Sequence, residues 1–294
     1  MNEFENPEFI EKQLTEVNSA DKKTAFVNNS SNSEVNNFTP SYVYAIGKVE
    51  LRFSSQSLEN EFAQAVGKEE TGGLTDRQML RKVLSTRSNR YLVRQMCWVL
   101  LIDGIETYIL QPRDPADFEF LIETLRPEPS TKEIDVVIGI QGPTAPPELC
   151  GGLMLPIVLF DQVYSFDREN FIKSIPHLED TGKRKFETAA EYVFDRILQI
   201  TNNAGLNDKH RALNYLALRY PEIYSRAVEM FEKDYSLSAV DSQLLQSNSF
   251  RKFVDVFFSY RNRKTDFLEK FYVRVDVTGE FPFLIRKLAS YYDS

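Results

Sequence analysis

Three residues in this chain have the types from which a metal centre is made: Cys97, Cys150 and His210. Thiolate and imidazole are ligands that zinc favours, and a Cys2His set completed by Asp208 or water would form a tetrahedral shell, structural rather than catalytic. Only two histidines are present, His177 and His210. That restricts general-base and metal chemistry near neutral pH, because imidazole usually carries both. His210 follows Asn207 and Asp208 in the first turn of an expected helix, where the helix dipole opposes protonation and favours the ligand-competent ring. The spacing is long and has no C-x-x-C pair. The same residues therefore also read as a small apolar cysteine in a strand and a loop thiol, with His177 in an exposed loop.

Other groups admit two readings in the same way. Cys150 lies in a Gly/Pro-rich stretch, Gln141 to Gly152, whose amides could meet an oxyanion. A strand is expected after it rather than a helix N-terminus that would activate the thiol. The stretch lacks the spacing and lysine of a phosphate cradle, and its prolines remove donors. Arg113, Asp114 and Asp117 could orient a carboxylate, but they read first as a helix cap with a local ion pair. From Arg77 to Arg94 the sequence carries Arg77, Arg81, Lys82, Arg87, Arg90 and Arg94 with no acid after Asp76. In an acidic chain that is either a solvated face or a surface for an acidic partner.

The elements that must position these groups follow from pattern and punctuation. Tyr42 to Phe53 reads as a strand, with Gly47 at a bulge. Ser57 to Val66 reads as an amphipathic helix, and Thr75 with Gln78 forms a capping box for a helix over 76–85. Asp103-Gly104 predicts a type I′ hairpin between Cys97–Ile102 and Ile105–Leu110. Asp114-Pro115 starts a helix that ends before Pro127. Ile134 to Ile140 and Leu155 to Phe160 read as strands, and Asp167 caps a short helix. Helices are expected over 185–201, 208–219 and 221–233, the last two parted at Tyr220-Pro221. Val254, Val256, Phe258 and Tyr260 alternate, as do Phe271, Val273, Val275 and Val277, giving a closing hairpin. Phe281, Phe283, Leu284, Leu288 and Tyr291 are expected on a short terminal helix. The fold class is α+β: a mixed, largely antiparallel sheet, a helical third quarter and a closing β-hairpin plus short helix.

The chain has 294 residues and a net charge of −8. That charge argues against nucleic acid, whose phosphates need surplus Lys and Arg. No apolar run approaches the ~18 residues of a membrane helix, and the N-terminus lacks a signal-peptide pattern. Two cysteines make no disulfide framework, so a reduced, cytoplasmic setting is expected. Residues 1–40 are rich in Asn and acids and read as a disordered leader. A single domain over 41–294 follows.

Several blocks carry a resemblance. They are Tyr-Val-Tyr-Ala-Ile-Gly at 42–47, Cys-Trp-Val-Leu at 97–100, Pro-Arg-Asp-Pro-Ala-Asp-Phe at 112–118 and Asp-Val-Val-Ile-Gly at 135–139. Further blocks are Gly-Pro-Thr-Ala-Pro-Pro-Glu-Leu-Cys at 142–150, Pro-Ile-Val-Leu-Phe-Asp-Gln-Val-Tyr-Ser-Phe at 156–166, His-Arg-Ala-Leu-Asn-Tyr-Leu-Ala at 210–217 and the tail from Phe271. In this order they resemble the C-terminal domain of the cyanobactin maturation protease family, the PatA/PatG type. The protease's Gly-Thr-Ser-Met motif is not found, so the resemblance carries no catalytic residues. It implies a non-catalytic binding or scaffold domain associated with maturation of ribosomal peptides, meeting a peptide or protein of that pathway. The exposed edge of the closing hairpin is expected to suit strand addition. No cofactor is required by this reading. The alternative is a metal-dependent enzyme using Cys97, Cys150 and His210, with zinc.

Overall fold

Strand β1 (Tyr42–Arg52) has two neighbours in succession. Residues 42–47 pair with β4 (Glu133–Thr144) and residues 48–52 with β2 (Cys97–Ile102), all antiparallel. The handover falls at Gly47, where a Cβ would stand 2.2 Å from the Leu101 carbonyl oxygen. No register break falls on β1 itself; the nearest is in the ladder of β2 with the next strand, between Leu100 and Leu101. Asp103 and Gly104 both take positive φ, 52° and 77°, as a type I′ turn demands, and lead into β3 (Ile105–Pro112). β3 runs parallel to β5 (Pro156–Asp167), which returns antiparallel to β4. The order β1-β2-β3-β5-β4 closes into a barrel. The computed structural model describes residues 40–69, 71–127, 133–176, 183–200, 203–245 and 250–292. The expected leader at 1–40 therefore lies, but for Pro40, outside the described residues.

Four helices pack on the first half of the barrel. α1 (Gln56–Val66) is capped by Ser55, α2 (Asp76–Ser85) by the Thr75/Gln78 box, and α3 (Arg90–Gln95) and α4 (Phe118–Thr124) follow. Asp114 caps the short turn before α4 by accepting from the Ala116 amide at 2.8 Å. Leu58, Phe62, Leu84, Leu92 and Leu121 meet Trp98, Leu100, Tyr108 and Phe160 in one core. The basic run 77–94 is partly used here. Arg77 and Arg81 donate to the Thr124 and Leu125 carbonyls at the end of α4, at 2.9 and 3.2 Å. These are the groups a helix C-terminus leaves unpaired. Arg77 also pairs with the buried Glu133 at 2.9 Å.

The second half adds α5 (Arg168–Ser174), α6 (Lys183–Leu198), α7 (Asp208–Arg219) and α8 (Glu222–Glu232). They cover an antiparallel sheet ordered β6-β7-β8-β9: Tyr235–Leu245, Phe253–Asn262, Leu268–Asp276 and Phe283–Tyr291. Val254, Val256, Phe258, Tyr260, Val273 and Val275 face Phe194, Leu213 and Tyr224. Among the described residues no helix is long and apolar enough to cross a membrane.

The α+β class stands, with three corrections in detail. The terminal helix is the strand β9. Leu284 and Leu288 do pack on the core, but a spacing of four is a helical turn and also an even number, so it suits either element. Phe281, Phe283 and Tyr291 stay exposed. β6 has no counterpart among the expected strands, because Ser236, Ser238, Asp241, Ser242 and Gln243 mask its pattern and it lies at the sheet edge. Lastly, Cys97 and Cys150 are not thiols but a disulfide, with Cα atoms 5.3 Å apart, joining β2 to the loop between β4 and β5. A reducing compartment does not favour such a bond.

Two of these features make stability depend on conditions. The cross-link spans 53 residues, so chain-entropy reasoning puts its contribution at about 2–4 kcal/mol. Reductant should lower the melting temperature of the native protein and leave a Cys97→Ser/Cys150→Ser variant unmoved. The second feature is Asp135, fully buried, which accepts from the Val49 amide at 2.5 Å and from the Ser165 hydroxyl. Burial pushes its carboxyl up to about 6 from an ordinary 3.8. The folded state then binds the extra proton, so stability is full below about pH 4 and falls as pH rises through about 6. Asp135→Asn should exceed the native protein by up to about 3 kcal/mol at pH 7 and match it at pH 4, by denaturant titration.

Candidate functional site

The first half of β1 has one strand neighbour, so one row of its backbone groups needs other partners. The chain just before α7 and α7 itself supply them. Tyr44 donates its amide to the Gly205 carbonyl at 2.9 Å, and its own carbonyl accepts from the Asn214 carboxamide at 2.8 Å. Asn203 and Asn214 exchange amide hydrogen bonds at 2.8 and 3.2 Å. Gly205 has φ +69°, and a Cβ there would lie 2.3 Å from the Tyr44 oxygen, so the approach requires glycine. α7 is thereby seated on the wall formed by Tyr44, Val136 and Ile138.

Along α7, Arg211, Tyr215 and Arg219 recur every four residues and share a face. Arg211 is 2% exposed. It donates to the Asp208 carboxylate at 3.1 Å and to the carbonyls of Val277 at 2.8 Å, Gly279, and Glu280 at 3.2 Å. Its guanidinium lies 5.2 Å from the Tyr42 ring centroid. This fastens the segment between β8 and β9 to α7, and so places Phe281 and Pro282.

Between that segment and the barrel wall lies a cleft of about 260 Å³. Tyr44, Ile138 and Gln162 line its barrel side, Tyr215 and Arg219 its helix side, and Phe281 and Pro282 its lip. The Tyr44 and Tyr164 hydroxyls are 3.5 Å apart. The Arg219 guanidinium lies over the Tyr164 ring, 5.5 Å from its centroid. Burial pushes the Tyr44 hydroxyl far above its ordinary value, so it stays neutral and keeps its proton. Beside the lip, Arg113 bridges Asp161 at 2.6 Å and Glu280 at 3.1 Å. Burial, and then the neighbouring Asp161, raise Glu280 above the usual carboxylate range, and its Oε1 is buried without a hydrogen-bond partner. The described lining offers a guanidinium, hydroxyls, an amide and apolar walls, and includes no histidine, cysteine or lysine. A guanidinium can pair with an anion, and the apolar walls can pack a hydrophobic group.

The residues singled out by sequence are placed differently. Cys97 pairs with Arg52 at one end of β1, whereas α7 is tied to Tyr44. Eight residues of strand separate those points, about 26 Å at ~3.3 Å per residue. His210, one turn before Asn214, therefore does not join the two cysteines. Among the described residues no group of three or more His, Cys, Asp or Glu could hold a metal. His210 Nδ1 lies 3.0 Å from the Asn207 carboxamide, and burial, with Lys209, lowers its pKa. His177 lies outside the described residues. Arg113 pairs with Asp161 on the neighbouring strand β5 rather than with Asp114 or Asp117. The four-residue rhythm of Arg211, Tyr215 and Arg219 was the one local signal for the cleft.

Arg211→Ala should cost about 3–5 kcal/mol, because it leaves Asp208 and three carbonyls without their buried donor. Arg211→Lys should recover only part of it, since one ammonium cannot reproduce the guanidinium fork. Urea unfolding of the three proteins measures the difference.

A family model described as PatG Domain matches residues 42–242. A solved structure described as a PatG Domain of Unknown Function superimposes with a TM-score of 0.68 at 18% identity, covering 86% of this chain and 99% of the other. No curated protein matches the chain.

Proposed function

The chain belongs to the PatG domain family, and we propose that it serves as a non-catalytic peptide-binding module in a cyanobactin-type peptide-maturation pathway. The family relation supports the pathway. The cleft between the barrel wall and the 277–282 segment supports the binding role: it is fixed on rigid elements and combines a guanidinium with apolar walls.

Strand addition, the other way to take up an extended peptide, has less in its favour. β9 is the end strand, but its register breaks between Tyr272 and Arg274 and between Arg274 and Val275 on the partner. The Leu288 amide is already donated to the Tyr220 hydroxyl at 2.9 Å. Bulges and covered amides are how an edge is kept from pairing.

Calorimetric titration with linear, unstructured peptides that carry the sequence of a maturation substrate tests the reading. Gln162 is exposed, so Gln162→Trp should fill the cleft without disturbing the core and weaken binding by roughly 10-fold or more, about 1.4 kcal/mol. Binding untouched by Gln162→Trp but lost in Ile285→Pro would transfer the site to the β9 edge. Stoichiometric zinc by elemental analysis, lost in Cys150→Ser, would favour the metal-dependent alternative instead.

A further inference from the structure

We propose that the cleft receives the free C-terminal carboxylate of a linear peptide, held by Arg219 and the Tyr164 hydroxyl, with the last side chain against Ile138, Phe281 and Pro282. This rests on the peptide-binding reading above and narrows it to one end of the peptide and one charge.

Arg219 carries a full positive charge and lines the cleft, where its guanidinium meets the face of the Tyr164 ring. A ring face attracts a cation but does not neutralise it. No carboxylate belongs to the described lining of the cleft. A guanidinium offers five donors in a planar fork that matches a carboxylate with two parallel bonds. The Tyr164 hydroxyl also has an O–H to donate. The 3.5 Å separation of the two hydroxyls leaves that proton weakly engaged between them. The arrangement therefore sets a guanidinium of the cleft beside a tyrosine hydroxyl, with no carboxylate in the described lining to fill the site.

Size and surroundings select among carboxylates. The cleft of about 260 Å³ lies below the ~300–1,000 Å³ of pockets for drug-sized ligands. It fits a chain terminus better than a folded peptide. Ile138, Phe281 and Pro282 border it, so the group attached to the carboxylate should be apolar. At the lip, Asp161 and Glu280 share the single cation Arg113. That excess of acid disfavours ligands with a second carboxylate nearby. A terminal α-carboxylate on an apolar residue meets all three conditions, and an Asp or Glu side chain inside an acidic segment does not.

The test compares one N-acetylated linear peptide ending in phenylalanine as the free acid and as the C-terminal amide, with N-acetyl-phenylalanine as a third ligand. The proteins are native, Arg219→Gln and Tyr164→Phe, each checked for an unchanged melting profile. The free acid should bind the native protein at least roughly 10-fold more tightly than the amide, the range of a charge-assisted hydrogen bond. Arg219→Gln should abolish that preference and Tyr164→Phe reduce it, while N-acetyl-phenylalanine binds more weakly than the peptide. Equal binding of acid and amide would overturn the carboxylate inference and leave the peptide reading standing. No binding of any ligand would remove both. A preference for the acid that survives Arg219→Gln would put the carboxylate elsewhere. N-acetyl-phenylalanine binding as well as the peptide would make the ligand a small acid.

Discussion

A buried guanidinium is the constraint on which the rest of this molecule depends. Taking Arg211 out of water is costly, and burial lowers its pKa, so its position needs acceptors for its two terminal nitrogens even though Nε is left unpaired. Asp208 supplies the charge, one turn away on the same helix. The remaining acceptors are main-chain carbonyls of Val277, Gly279 and Glu280, far along the chain. Tyr42 at the start of β1 supplies an aromatic face. One side chain thus fixes three things to one another: the barrel, α7 and the connection from β8 to β9. An apolar residue of similar volume could fill the space, but it could not specify which carbonyls meet there.

The barrel needs a second device because β1 changes partners at Gly47. The half of β1 paired only with β4 would expose backbone groups to the interior of the molecule. Gly205 and Asn214 meet them, and Asn203 satisfies the rest of the Asn214 carboxamide. This determines where α7 sits along the wall, since a carboxamide bonded at 2.8 Å to one carbonyl leaves little freedom to slide. Arg211 and Asn214, three residues apart on α7, therefore set both its position and its contact with the lip.

What could be read from sequence was local chemistry. Asp103-Gly104, the Thr75/Gln78 box and the Asp114 cap act within a few residues, and each forms as its spacing implies. The alternation of Val254 to Tyr260 was legible because one face of β7 is wholly buried. β9 was not, because Leu284 and Leu288 suit either period and its other large side chains stay exposed. The cleft was the least legible part. Arg113, Asp161 and Glu280 come from three distant segments, and their meeting is a consequence of barrel closure and of the Arg211 latch. Cys97 and Cys150 looked like metal ligands because sequence shows residue type, not distance. His210 was added to them on chemistry alone, and the length of β1 separates it from them. Arg77 and Arg81 read as a charged face until the end of α4, with carbonyls to satisfy, was brought against them.

The elements held at this joint, α7 and β1, also supply the Arg219 and Tyr44 that line the cleft. Arg219 lies two turns beyond Arg211 on α7, so the cation at the cleft and the latch that holds its lip belong to one rigid element. The barrel wall opposite is equally fixed, because Tyr44 contributes both its backbone to the α7 anchor and its hydroxyl to the cleft. A ligand entering there would not need to order a loop, and the entropy cost that weakens many peptide complexes would be small. Binding strength at such a site depends on charge and shape rather than on adaptation. A guanidinium without a carboxylate partner in the described lining would be a demanding filter, since it rewards an anion and gains nothing from a neutral end group. Selectivity of that kind suits a module that must tell the end of a peptide chain from its middle.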